Sequence, residues 1–383
     1  MMRKACLLLA IFALILTACT KAVSPTSSRA GNTPPDAPAA THARNSQDPD
    51  LALPPPEPGP NKPPKLIWQR IAQNSAFTRL YDHPKVVAHT RDYLERERLL
   101  SVISKRSEPF IYFILSEIEQ RNMPAELALL PFLESGYNPL ARSRTLATGL
   151  WQFTAQTAEE FGLQRTCCYD ARYDVYASTM AALDYLEELH ARFDQDWMLA
   201  LMAYNGGPNR LKSTLRSGAQ AVRSGNYWEL DVSPETREYV PKLLAFCSIV
   251  TDAHLNRTRL YPVANTPYLD ILKTKKRLSA ARLARSADIT LAELQALNPA
   301  MQHPQYPLPR GYHVLVPRHK TETVKLAMET LAEEPHWYKH KIASGESLSV
   351  IAVRYGTSVS ALRRANKLNG SLILAGNTLI IPH

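Results

Sequence analysis

The sequence predicts a mainly α-helical protein that closes with a small α+β unit of βααβ order. Three observations carry the prediction. Between residues 66 and 257 apolar side chains recur at helical spacing with few strand signals. Residues 337–382 run strand, helix, helix, strand, with Gly345 and Gly376 as turns. A proline-rich stretch separates the helical part from the N-terminus. At 383 residues the chain has room for two or three domains.

The elements follow in chain order. Residues 1–18 carry Arg3 and Lys4, then a 12-residue apolar stretch from Leu7 to Ala18, ahead of Cys19. A bilayer crossing takes about 20 apolar residues, so this stretch reads as an export signal and not as a span. Leu16-Thr17-Ala18-Cys19 resembles the lipobox of bacterial lipoproteins. That resemblance implies lipidation of Cys19 and a membrane partner through the anchor. Thr20, standing where an Asp would mark retention, implies residence on the periplasmic face of the outer membrane. Residues 19–65 are expected to be a semi-extended tether, because 12 of the 29 prolines fall within 24–64 and leave too little apolar area to offset ordering.

The helical domain, 66–257, follows. FIYFILSEIEQRN (110–122) is apolar on a broad face, and Pro124 opens the next run, AELALLPFLE. Ala182, Leu186, Leu189 and Phe193 recur at four-three-four spacing, one face of an amphipathic helix. WMLALMAYNGGP (197–208) predicts a buried helix stopped by Gly206, Gly207 and Pro208. Residues 260–320 are rich in Leu and Pro with weak periodicity, and 337–382 form the closing unit.

A formal charge of +10 suits an anionic partner: nucleic acid, acidic lipid or a carboxylate-rich polymer. No nucleic-acid motif accompanies it, so nucleic acid is not an expected partner. There is no CxxC pair and no HExxH, and the 11 histidines do not cluster at ligand spacings, so neither a metal nor a cofactor is expected. Beyond Cys6 and Cys19 an odd number of cysteines remains: Cys167, Cys168 and Cys247. A Cys167–Cys168 bridge and three buried thiols are both open, while Cys247, inside LLAFCSIV, reads as core.

The stretch that carries chemistry is LESGYNP (133–139), which sets one carboxylate, Glu134, at the end of an apolar run and just before a turn. Among Leu, Phe and Tyr side chains a carboxylate loses hydration and its pKa rises. A general acid needs that state to protonate a departing glycosidic oxygen near neutral pH. TGLWQF (148–153) and AYNGGP (203–208) offer aromatic faces for sugar rings, amides for acetamido and hydroxyl groups, and glycines that let a long ligand approach the backbone, although Trp151 and Tyr204 taken singly read equally as core.

In this order and spacing ESGYNP, GLWQF, AYNGG and TREYVPK (236–242) resemble the family 1 lytic transglycosylases, goose-lysozyme-like enzymes that cut bacterial peptidoglycan. The likeness covers roughly residues 105–257. DARYDVYAS (170–178) and YWEL (227–230) are similar to the membrane-bound D-type branch, which also carries LysM repeats. The resemblance implies a lysozyme-like helical fold and cleavage of the β-1,4 bond between N-acetylmuramic acid and N-acetylglucosamine without water. The family's sole catalytic acid falls on Glu134, which first protonates the leaving oxygen. As carboxylate it then takes the proton of the muramic 6-hydroxyl, which attacks C1 and closes a 1,6-anhydro ring. The substrate supplies the nucleophile, so the second carboxylate of ordinary glycosidases is not required.

By the same resemblance Ser143, Gln152, Tyr204, Asn205 and Tyr239 line the cleft, Tyr239 bonding Glu134 or the sugar. Two departures stand out: Arg144, Thr145 and Leu146 occupy a run that is usually small, and Gly206 replaces a small polar residue. Asp170 or Asp174 could be imagined as the base of a hydrolase, but both read as helix caps or partners of Arg172. The rival functions are a hydrolytic lysozyme of the same fold and a catalytically silent murein-binding scaffold.

SGESLSVIAVRYGTSVSALRRANKLN, followed by GNTLIIP, resembles a LysM module over 337–382. It implies that glycan strands of peptidoglycan are bound in a groove between Gly345-Glu346-Ser347 and Leu372-Ile373-Leu374, with Ile351, Tyr355, Leu362 and Ile380 in the core. Residues 260–320 look like a degenerate copy, helix, helix with LNP and closing strand, without the glycine turn. They are expected to be a spacer with weak or no glycan binding.

Overall fold

The structure, a computed structural model, describes residues 65–382 apart from Cys167, residues 224–225 and residues 254–259. The export signal, Cys19 and the tether lie outside the described residues, as does the Cys167 half of the cysteine pair. The helical part contains α1 (Ile67–Gln73), α2 (Pro84–Leu94), α3 (Glu97–Ser107), α4 (Ile111–Gln120), α5 (Leu130–Ser135), α6 (Ala155–Glu160), α7 (Val175–Arg192), α8 (Trp197–Gly206), α9 (Pro208–Arg223) and α10 (Pro234–Ala253).

Burial explains the arrangement. Six consecutive residues of α8, Met198 to Ala203, are buried, as expected of a helix apolar on all sides, and α7, α9 and α10 pack around it. Asp196 starts α8 by accepting the backbone N–H groups of Met198 (2.8 Å) and Leu199 (3.1 Å), two donors that a helix start otherwise leaves unpaired. On α7 the predicted stripe is inside: Ala182, Leu186, Leu189 and Phe193 are all buried. The broad face of α4 buries Ile111, Ile114, Leu115 and Ile118, each worth about 1.5–3 kcal/mol on transfer from water. Cys247 on α10 is 1% exposed and belongs to this core. The start of the helical part is stitched to residues 261–265: Ile67 N–H donates to the Val263 carbonyl (3.0 Å), and the buried Trp68 indole N–H to that of Tyr261 (2.8 Å).

Residues 269–317 form a βααβ unit with a core of its own. Strand β1 (Leu269–Lys273) pairs antiparallel with β4 (His313–Pro317), and between them lie β2 (Leu278–Ser279), α11 (Ala280–Ser286), α12 (Leu291–Leu297) and β3 (Pro307–Leu308). The sequence signalled the two helices and the closing strand, but not the opening strand LDILK or the helix α13 (Thr321–Thr330) that follows. The C-terminal unit repeats the plan: β5 (Tyr338–Lys341), α14 (Leu348–Arg354), α15 (Val359–Ala365) and β6 (Thr378–Ile381), with Tyr338 opposite Ile381 and Lys341 opposite Thr378.

One side chain shows that the two units share a construction. Asn298, the Asn of LNP, is buried; its amide donates to the Leu294 (2.8 Å) and Leu315 (2.7 Å) carbonyls and its oxygen accepts the Leu315 N–H (2.8 Å). Asn366 makes the same three bonds to the Leu362 carbonyl (2.8 Å), the Ile380 carbonyl (2.7 Å) and the Ile380 N–H (2.6 Å). Each asparagine ties the second helix to the closing strand at a point where no backbone partner is available.

The units also dock on their neighbours. Tyr176 of α7 stacks on His313 of β4 at 4.0 Å between centroids, and Tyr169 meets Tyr312 edge-on at 5.7 Å. Cys168, Ala365 and Ile380 share a small buried cluster backed by Tyr306 and Trp337, and His303 Nε2 lies 2.7 Å from the Ala365 carbonyl. Ile380 therefore lies in the seam between the closing unit and the chain before it, whereas Ile351 and Leu362 are in that unit's own core.

Candidate active site

The catalytic candidate sits on a short helix with a sharp end. Pro131 starts α5, and Gly136 ends it in the left-handed region at φ 58°. The buried Tyr137, itself at φ 53°, donates its hydroxyl to the Ala128 carbonyl (2.8 Å) and pins the turn. Glu134 is thus held at the last turn, partly buried.

Tyr239, buried on α10, donates its hydroxyl to Glu134 Oε1 at 2.5 Å. Burial pushes the Glu134 carboxyl up to about 7 from an ordinary 4.5. The Tyr239 hydrogen bond works against that rise, and the charge of Glu235 adds to it. A carboxyl that holds its proton to neutrality can give it to a leaving group and then accept another. Tyr239→Phe removes a donor that favours the ionised form, so Glu134 is expected to keep its proton to higher pH. The alkaline limb of the rate profile then moves up and the maximal rate falls about tenfold, because the carboxylate is a poorer fit as base. An unmoved limb in a pH–rate titration would mean that this bond does not govern the charge of Glu134.

The other wall of the site is a loop, 141–153, clamped from several directions. Ser143 N–H donates to Ala147 O (2.9 Å) and Gly149 N–H to Ala141 O (2.9 Å), closing a small hairpin. Ser143 Oγ accepts the Ala147 N–H (3.0 Å), and the Gln152 amide donates to the Gly149 carbonyl (2.8 Å). Both of these expected cleft residues therefore brace the loop. Tyr204 donates its hydroxyl to the Trp151 carbonyl (2.8 Å), and the charge of Glu134 acts on Tyr204. Trp151 is itself core: 1% exposed, its N–H bonded to Thr179 Oγ1 (3.0 Å), so its ring is not a platform for a sugar.

Asn205 accepts a hydrogen bond from Thr236 Oγ1 (2.9 Å), which connects the end of α8 to the helix bearing Tyr239. The same threonine accounts for Gly206. A β-carbon at 206 would stand 2.7 Å from Thr236 Oγ1, so the threonine hydroxyl fills the place a serine side chain would take.

Several supporting residues lie inside the quoted motifs, but their contacts reach beyond them. Ser135 Oγ donates to the Leu150 carbonyl (2.9 Å), joining the loop to the residue beside Glu134. Arg172, 6% exposed, donates to the Leu146 carbonyl (3.1 Å) and pairs with Asp170 (2.8 Å). Asp170 accepts the Arg172 N–H (3.1 Å) and Asp174 caps α7 through Ala177 N–H (2.9 Å), so both act as caps, as the sequence suggests. The bonds from Arg172 to Leu146 and from Ser135 to Leu150 carried no sequence signal, because their partners lie 26 and 15 residues away.

In the C-terminal unit Gly345 is in the left-handed region at φ 84°. Glu346 accepts the Ala343 N–H (2.8 Å), lies 2.6 Å from His340 Nε2 and pairs with Arg354; those bonds, the backbone one foremost, push its carboxyl down to about 2. Ser347 Oγ accepts the Val350 N–H to cap α14, and Ile373 packs on the module core. Leu372 and Leu374 are 83% and 60% exposed, an open apolar edge beside that loop.

A model described as Transglycosylase SLT domain matches residues 112–224, and one described as LysM domain matches residues 340–382. The chain is 31% identical over 312 residues to membrane-bound lytic murein transglycosylase D of Escherichia coli strain K12, covering 78% of this chain and 69% of that one. It is 49% identical over 108 residues to a putative tributyltin chloride resistance protein of Alteromonas sp. strain M-1, covering 28% of this chain and 52% of that one. Membrane-bound lytic murein transglycosylase F of Desulfosudis oleivorans is 27% identical over 221 residues, covering 55% of this chain and 46% of that one. With an SLT domain and a LysM domain matched and 31% identity over two thirds or more of each chain, the chain belongs to the family of membrane-bound lytic murein transglycosylase D.

Proposed function

We propose that this protein is a lytic transglycosylase that cuts the β-1,4 bond between N-acetylmuramic acid and N-acetylglucosamine in peptidoglycan and leaves 1,6-anhydromuramic ends. The observation that carries the reading is one carboxyl, Glu134, raised to about 7 by burial and held by the Tyr239 hydroxyl. In its neutral form Glu134 gives a proton to the leaving oxygen as the C1–O bond breaks. As carboxylate it removes the proton of the 6-hydroxyl, whose oxygen bonds C1, so the proton lost in the first step is regained in the second. Asp170 and Asp174 are committed to capping contacts, and this favours the anhydro route over one in which a second carboxylate activates water.

In this reading Tyr204, Asn205 and Tyr239 shape the cleft, while Ser143 and Gln152 hold the loop that borders it. The C-terminal module grips glycan between Gly345-Glu346-Ser347 and Leu372-Ile373-Leu374, chiefly through backbone, because the Glu346 carboxylate is already engaged. The 260–320 unit serves as a spacer. A lipid on Cys19 anchors the protein to the periplasmic face of the outer membrane, which the lipobox-like Leu16-Thr17-Ala18-Cys19 supports.

The test is a digest of purified peptidoglycan read by mass spectrometry. Products about 18 Da lighter than hydrolytic fragments, the mass of the water not added at C1, are the expected result. Water-added products would replace this reading with a lysozyme, and intact strands that stay bound would replace it with a scaffold.

A further inference from the structure

Two stretches flank Glu134, and both are poor in acids. Between Leu127 and Ala158 the only Asp or Glu is Glu134 itself, and from Trp197 to Trp228 there is none. Yet the first carries Arg142 and Arg144, and the second carries Arg210, Lys212 and Arg216. All five side chains are exposed, and none makes an ion pair or a side-chain hydrogen bond among the described residues. Buried and half-buried arginines of the same body behave differently: Arg70 pairs with Glu119, Arg121 with Asp184, and Arg172 with Asp170.

They sit on elements that frame the site. Arg142 bridges Thr148 in the hairpin, and Arg144 lies in the turn between Ser143 and Ala147. The base of that hairpin is joined to the catalytic helix by the Ser135–Leu150 bond. On the other side α9 begins directly behind Asn205-Gly206-Gly207. Leu211 is buried and Leu215 packs on the core, leaving Lys212 and Arg216, one turn apart, on the outer face.

We infer that the hairpin tip and the outer face of α9 are two basic walls that hold the carboxylates of the peptide branches while the glycan strand lies along Glu134. The inference rests on the proposed function and names a determinant of its substrate. The sugar backbone of murein offers hydroxyl and acetamido groups; its negative charge resides on the peptide branches, which project sideways from a strand lying in a cleft. Unpaired guanidinium and ammonium groups beside the cleft match that charge, and bulk at Arg144 supplies it where a small residue would not. Screening confines the attraction to about 8 Å at physiological salt, so only branches at the cleft itself are read.

The experiment compares solubilised peptidoglycan strands with the same strands stripped of peptide by an amidase. In the full-length protein, Arg142→Gln/Arg144→Gln combined with Lys212→Gln/Arg216→Gln is expected to lower the ratio of kcat/KM on peptide-bearing to stripped strands about tenfold. It should also flatten the loss of kcat/KM with added salt. Arg142→Lys/Arg144→Lys with Lys212 and Arg216 intact keeps the wild-type ratio. An unchanged ratio overturns the inference, and an unchanged ratio with lost binding to phosphatidylglycerol vesicles assigns the walls to a lipid surface instead. A wild-type protein that cuts neither substrate overturns the functional reading and this inference together, whereas cutting with an unchanged ratio overturns this inference alone.

Discussion

Glu134→Gln is expected to lower cleavage of peptidoglycan by at least about 10³-fold, because in the proposed function one side chain supplies both proton transfers and Gln can perform neither. The same substitution is expected to make the protein more stable at alkaline pH. In the unfolded chain Glu134 ionises at its ordinary 4.5, and in the folded protein at about 7. Between those values the folded state alone retains the proton, so the wild type loses stability as pH rises through the window and levels off above pH 7. The loss amounts to on the order of 3 kcal/mol, from about 1.4 kcal/mol for each pH unit of displacement. Glutamine carries no such burden and can still accept the Tyr239 hydrogen bond. Thermal melts at pH 4 and pH 8 check this: the variant and the wild type should coincide at the lower pH and separate at the higher. Equal melting at pH 8 would show that Glu134 is not held in a desolvated site.

Gly149→Ala is the second large effect, and it acts through the loop. A β-carbon at 149 would lie 1.9 Å from the Arg172 carbonyl oxygen and 2.9 Å from its carbon, both backbone atoms that cannot swing away. The residue is also at φ 84°, where a side chain is strained. A cost of about 3 kcal/mol or more is expected, together with loss of turnover. Displacing Gly149 moves Leu150 and Trp151, whose carbonyls receive Ser135 and Tyr204 beside Glu134. Gly162 is the control. It too has positive φ, 71°, but open space around the missing β-carbon, so Gly162→Ala should cost about 1 kcal/mol and leave turnover intact. Equal effects from the two substitutions, measured by denaturant unfolding, would locate the cost in backbone conformation and not in the Arg172 contact.

These effects mark what could be read from the chain and what could not. Glu134 was legible because its signal is local: an apolar run, a carboxylate and a glycine turn within seven residues. The helical stripe on α7 was legible for the same reason, since periodicity needs only the residues of one element. The Arg172–Asp170 pair was legible too, but the bonds of Thr236 to Asn205, Arg172 to Leu146 and Ser135 to Leu150 were not, because each runs to a partner that the fold alone brings near. Trp151 shows the converse. Its motif allowed a sugar platform or a core residue, and packing decides for the core, its ring turned inward toward Thr179. The strand at 269–273 escaped because five residues are too few to separate a strand from a short buried turn. The asparagine of LNP was visible as a motif, but its use as a clasp emerges only beside Asn366.

The seam formed by Cys168, Ala365 and Ile380, with Tyr306 and Trp337 behind it, has a consequence for how a polymer is processed. A gripping module on a free string would let the blade fall anywhere within the string's reach. Here the closing module is seated against the same body that carries Glu134, so in the proposed function the stretch of strand between hold and cut is short and defined. In the proposed function such a molecule works as a caliper, the place where the module holds the strand fixing the place where Glu134 cuts it.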